Sequence, residues 1–388
     1  MLLRMRKIIN SSGPAAIIIM LVAVLCSVQS FLLDAGNTVN VYTHYNNYVI
    51  FKTSFLNLVQ QKDLYQLYPQ LQWDLYKYSP TFALFFGVFA WLPNIVGLIL
   101  WNLLNAGVLV WAVRALPALS DKKKAFILLY ILVELVGSVQ NSQSNALMAG
   151  LMIGAFAMAE KQRFIFALVL VICSVYIKLF GLAGFAIFIF YPQKLKNAIA
   201  CIVITAVFFI LPLIVVPFNQ LLFLYKSWGV LLKQDNDASL GLSIFGWLQT
   251  WFNVVVPRAW VLAAGLLVYF IPFTRLSLYK NIAFRYGILA STLLWVIVFN
   301  HKSESPTFII AVAGVALWFC NSNRRLIDVL LLVAVFIFTM LSPTDIFPHV
   351  VKDRIFIPYV VKAVPCIVVW LVISYRLIIN PQKYFPAN

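Results

Sequence analysis

Residues 62–80, KDLYQLYPQLQWDLYKYSP, gather two carboxylates (Asp63, Asp74), two lysines (Lys62, Lys77) and the tyrosines Tyr65, Tyr68, Tyr76 and Tyr78 in one polar stretch of an otherwise apolar chain. A carboxylate can take a proton from a hydroxyl and an ammonium can hold an anion. A tyrosine ring can stack on a flat ligand or anchor at a membrane surface. The plainer readings are that Asp63 caps or pairs with Lys62, and that Lys77 snorkels between Tyr76 and Tyr78 at an interface. Another lysine, Lys178, interrupts a long apolar run. An ammonium at membrane depth is costly unless it meets a wet cavity or a partner, so such a residue is functional by default. Lys178 is expected at the end of two short helices, near Glu134, Gln143 and Asn145, with an ion pair to Glu134 as the structural alternative.

The elements that must position these groups follow from composition. With 63% hydrophobic and 11% charged residues, the chain falls well short of the roughly 25% charge of a soluble domain. Apolar runs of roughly 14 to 22 residues fit membrane helices, because helices satisfy their own backbone in lipid; the short alternating segments of a barrel are missing. The expected fold is all-α: a single polytopic transmembrane bundle over 1–388. The first run, PAAIIIMLVAVLCSVQSFLL, has no small-residue cleavage site after it and reads as a retained span. The five cysteines all lie in apolar runs without paired or metal-site spacing, so neither a disulfide nor zinc is expected. There is no P-loop and no GxGxxG. The DND of Asp235–Asp237 reads as a loose acid pair, and no metal or other cofactor is expected. The net charge of +17 is dispersed in short clusters between apolar runs, which argues against nucleic acid as a partner.

Spans are expected near 15–33, 94–113, 125–138, 145–159, 164–177, 179–191, 197–217, 257–274, 283–299, 307–320, 326–341 and 361–378, about twelve in all. With both termini cytoplasmic, alternate short connections place Lys122–Lys124, Lys161, Lys194, Arg275, Arg324 and Arg376 on one side, as the positive-inside rule requires. This holds if 79–92 is a juxtamembrane or half-inserted helix rather than a span. The opposite side then collects Asp34, Asp63, Asp74, Asp235, Asp237, Glu304, Asp345, Asp353 and all three histidines. It also holds the long loops 34–93, 218–256 and 342–360.

NNYVIFKTSFLNLVQQKDLYQLYP and the following DLYKYSPTFALFFGVFAWLP resemble the amino-terminal signature of glycosyltransferase family 87, a GT-C group of polytopic enzymes using polyprenyl-phosphate sugars. The likeness runs through Leu64-Tyr65, the turn Tyr78-Ser79-Pro80, Leu92-Pro93 and Trp101. Gln143 and Asn145 match the family's Gly-Gln-x-Asn segment, with Ser142 for the glycine; Lys178 matches its mid-chain lysine and His301 its polar loop. The family's first-loop aspartate, about 17 residues before the Leu-Tyr pair, corresponds here to Asn47. An amide is no general base near neutral pH.

The resemblance implies transfer of a hexose, usually mannose, from a polyprenyl phosphate to a glycan or glycolipid at the outer face of a bacterial cytoplasmic membrane. Such a reaction needs cations for the leaving phosphate, a base for the acceptor hydroxyl and a groove for the lipid. It points to Asp34, just after the first span, as base, followed by Asp74 and His44, with Asn47 at the family position. Lys77 before its proline turn is the expected phosphate ligand, joined by Lys302, His301, Arg354 and Lys178; Tyr65, Tyr78, Gln143 and Asn145 would contact substrate. Two rival readings use a similar bundle. A transporter or lipid-linked-glycan flippase predicts internal repeats and mid-membrane sites, whereas no clear repeat is seen; a glycan polymerase or ligase shares the lipid substrate.

Overall fold

The computed structural model describes residues 11–34, 41–234 and 239–386. Every regular element among them is helical, and there is no strand. Three helices are long and apolar enough to cross a membrane by length and composition: Ser12–Asp34, Asn94–Ala115 and Lys194–Ile214. Shorter apolar helices coincide with the remaining expected spans except 125–138, among them Asn145–Glu160, Phe164–Ile177, Ile282–Val298 and Val364–Ile379.

Several elements depart from a uniform set of α-helical spans. The expected 125–138 span is divided at Ile131 into Asp121–Tyr130, capped by the Ser120 hydroxyl, and Leu132–Gln140. Leu179–Phe190 winds as a 3₁₀ helix of 12 residues. Its steeper rise of about 2 Å per residue carries a short segment farther than an α-helix would. Segment 218–256, read from sequence as a loop, contains the helices Phe218–Gln234 and Ile244–Phe252. The first of these was missed because Gln220, Lys226 and Lys233 break its apolar run.

Asn145–Glu160 lies at the centre, with every residue from Asn145 to Ala159 buried. Its small residues allow close approach: a Cβ on Gly150 would stand 2.7 Å from the backbone nitrogen of Leu109, so Asn94–Ala115 packs backbone to backbone against it. Lys194–Ile210 is peripheral; Ile199, Ile202 and Val203 are exposed. An apolar face left open is unfavourable in water and natural against lipid.

Connections sort into two ends of the bundle. At one end, Asp63 accepts from Ser227 Oγ at 2.9 Å, Leu242 N–H donates to the Ser303 carbonyl at 2.9 Å, and Trp251 Nε1 donates to the Tyr359 carbonyl at 2.6 Å. The three long connecting segments therefore meet there. Residues 79–92 stay at this end as two short helices, Pro80–Phe85 and Gly87–Ala90, and Lys52 Nζ ties the Leu92 carbonyl back to the first loop at 3.0 Å. At the other end, Glu160 pairs with Arg285 at 2.5 Å and Asp328 with Arg376 at 2.5 Å.

Candidate active site

The tyrosine-rich turn is fixed by its own hydroxyls. Tyr65 Oη donates to the Tyr78 carbonyl at 3.0 Å and Tyr76 Oη to the Ser79 carbonyl at 2.7 Å. Ser79 Oγ accepts from Phe82 N–H at 3.1 Å, capping Pro80–Phe85, and donates to the Tyr176 carbonyl at 2.5 Å. Trp228 Nε1 holds the Lys77 carbonyl at 3.1 Å. These bonds seat residues 76–80 against the end of Phe164–Ile177, where the chain turns through Lys178 into the 3₁₀ helix.

A cleft of about 230 Å³ opens at this point, lined by Asn47, Asp74, Lys77, Tyr78, Gln143, Lys178, Lys302 and Glu304, with Trp228 and Leu232 on the Phe218–Gln234 side. Lys178 Nζ donates to Asn145 Oδ1 at 2.7 Å. Asn145 Nδ2 donates in turn to Gln143 Oε1, and Gln143 Nε2 to Glu304 Oε2 at 2.9 Å. A relay of amides thus joins the half-buried lysine to an exposed carboxylate. Burial lowers the Lys178 ammonium to about 8, against the opposing pull of Glu304. Burial raises the Tyr78 phenol, and negative charge on Glu304 and Asp74 adds to this.

The structure thus brings seven of the expected residues to one lining (Asn47, Asp74, Lys77, Tyr78, Gln143, Lys178 and Lys302), with Asn145 directly behind Lys178. Five lie outside that lining. Asp34 directs both carboxylate oxygens at the His44 backbone N–H, at 2.9 and 2.8 Å, and Tyr65 is buried beneath the turn. The His301 carbonyl packs on Gly241, where φ is +55° and a Cβ would come within 2.4 Å of it. Arg354 is exposed in the Lys352–Phe356 turn. The alternative pairing of Lys178 with Glu134 is corrected: Glu134 pairs with Lys362 at 2.5 Å, both buried. Glu304 and Trp228 are among the lining residues that sequence reasoning did not assign. Glu304 stood only among the outer-side acids, and Trp228 lay on the unrecognised helix. Among the described residues no group of three His, Cys, Asp or Glu side chains is placed to hold a metal ion; Asp235–Asp237 lie outside those residues.

An all-helical apolar bundle that carries a polar, lysine-rich cleft at one end has the character of a membrane protein. The chain belongs to glycosyltransferase family 87, of GT-C type, whose profile it matches over residues 76–343, more than half its length. It is a membrane glycosyltransferase. No curated protein matches it. The matched region includes Lys77, Tyr78, Gln143, Asn145, Lys178, His301, Lys302 and Glu304, and begins after Asn47 and Asp74.

Proposed function

We propose that this glycosyltransferase moves a hexose, by family habit mannose, from a polyprenyl-phosphate donor to a hydroxyl of a glycan or glycolipid, on the outer face of a bacterial cytoplasmic membrane. The observation that carries this reading is the meeting of Lys77, Lys178 and Lys302 with Asp74 and Glu304 in one cleft. The lysines would neutralise the phosphate as its bond to the anomeric carbon breaks. One of the two carboxylates would take the proton of the attacking hydroxyl. A single displacement from a β-linked donor would invert the anomeric centre. Tyr78 and Trp228 supply apolar faces for the sugar ring.

The reading is tested by incubating the purified protein with radiolabelled polyprenyl-phosphate hexoses and lipid or glycan acceptors. Label is expected in the acceptor, with a loss on the order of 10²–10⁴-fold in Asp74→Asn or Glu304→Gln, whichever removes the base. Undiminished transfer in both variants would overturn the site. Absence of transfer with every donor, together with movement of labelled lipid across proteoliposomes, would replace the enzyme by a transporter.

A further inference from the structure

A second concavity, far from the cleft along the chain's first span, has a different character. Ser12–Asp34 and Asn94–Ala115 pack side by side, and between them runs a trough of about 960 Å³. Ala16, Met20, Gly107 and Trp111 form its walls, and Arg114 and Lys161 its end. Small side chains explain the space: a Cβ on Gly107 would meet only the Met20 side chain, its Cε at 3.6 Å and its Sδ at 4.0 Å. Arg114 and Lys161 are exposed and Trp111 is 37% exposed. Among the described residues, no acidic one lines the trough.

The charge at its end is unbalanced. Lys124 Nζ donates to the Arg114 carbonyl at 2.7 Å, which adds another cation beside the helix end. The neighbouring acid, Asp121, is engaged by the start of the first span: it accepts from the Ser12 backbone N–H at 2.9 Å and from the Ser12 hydroxyl. Burial, and then the like charges of Lys161 and Arg114, lower the Lys124 ammonium against the pull of Asp121. An apolar channel ending in clustered cations complements one kind of molecule, an acyl chain bearing an anionic head.

We propose that this trough is a binding site for an anionic phospholipid, its acyl chain lying between the two helices over Gly107 and its phosphate held by Arg114 and Lys161. The arginine fork matches phosphate oxygens in a bidentate manner and Lys161 adds a point charge. Trp111 lies against the upper acyl chain. This inference concerns a site distinct from the sugar-transfer cleft and does not depend on how that cleft works.

Trp111 supplies the probe. The full-length protein is reconstituted in phosphatidylcholine bilayers containing either brominated phosphatidylglycerol or brominated phosphatidylcholine at matched mole fractions. The fluorescence lost between wild type and Trp111→Phe isolates this tryptophan. Brominated phosphatidylglycerol is expected to quench that component at several-fold lower mole fraction than brominated phosphatidylcholine. Arg114→Ala with Lys161→Ala should abolish the preference, each lost charge weakening binding on the order of fivefold. Lys161→Arg, which keeps the charge, should retain it, and Gly107→Leu should protect Trp111 from both lipids. Equal quenching by the two lipids in wild type, or a preference unchanged in the double variant, would overturn the proposal. So would a Trp111 shielded from both lipids in wild type, which would mean that another protein surface covers the trough.

Discussion

Lys178 concentrates the electrostatic behaviour of the cleft in one amine: half-buried, hydrogen-bonded to Asn145, and lowered to about 8 by burial. Below that value it is a cation and can meet a phosphate; above it the amine is neutral. Transfer measured as kcat/KM against pH should therefore fall as pH rises through about 8. In Lys178→Arg the falling limb should move upward, because guanidinium keeps its charge. A profile with the same limb in both proteins would assign the titration to another group. Much of this part of the cleft was legible in the sequence. Gln143, Asn145 and Lys178 stand out because polar residues interrupting apolar runs must find partners or water. Glu304 escaped assignment because its bond to Gln143 joins positions 161 residues apart, a proximity no local pattern encodes. Asp34 looked suited to catalysis from its place after the first span, yet its carboxylate organises the His44 backbone.

Helices joined by buried charge form the next scale. Lys362 Nζ reaches Glu134 Oε1 at 2.5 Å and the Thr339 carbonyl at 2.9 Å, and lies 5.3 Å from the Phe308 ring centre. Leu132–Gln140, which leads into Gln143, is thereby tied to Val335–Leu341 and to the approach to Val364–Ile379. Removing one partner strands a buried charge, so Glu134→Gln should destabilise the fold by about 3–5 kcal/mol, whereas Glu134→Gln with Lys362→Met should recover most of that loss. Thermal unfolding in detergent measures both, and a double variant no more stable than the single one would deny the coupling. Most helices were readable from apolar runs alone. Phe218–Gln234 was not, because an amphipathic helix resting on the bundle end has neither the length nor the uniform apolarity of a span. The pairing of Glu134 with Lys362 rather than Lys178 was equally hidden, since tertiary packing chooses among lysines that sequence treats alike.

Over the whole molecule, the cleft and the long connecting segments share one end, and the Arg285–Glu160 and Arg376–Asp328 pairs lie at the other. In the proposed orientation, which follows the positive-inside rule, the second end faces the cytoplasm. In sealed vesicles of native orientation, a cysteine at Asp74 should react with a membrane-impermeant maleimide added outside, and one at Lys161 only after permeabilisation. The reverse pattern would move the site to the cytoplasmic face and require a different donor pool. The assignment of the cleft to the lipid-phosphate donor is tested most directly by photocrosslinking, using a polyprenyl-phosphate hexose analogue with its photoreactive group beside the phosphate. The expected result is adducts on the cleft segments at 74–78, 143, 178 and 302–304, suppressed by excess unmodified donor. Adducts confined to other surfaces, or adducts on the cleft that unmodified donor does not suppress, would contradict it.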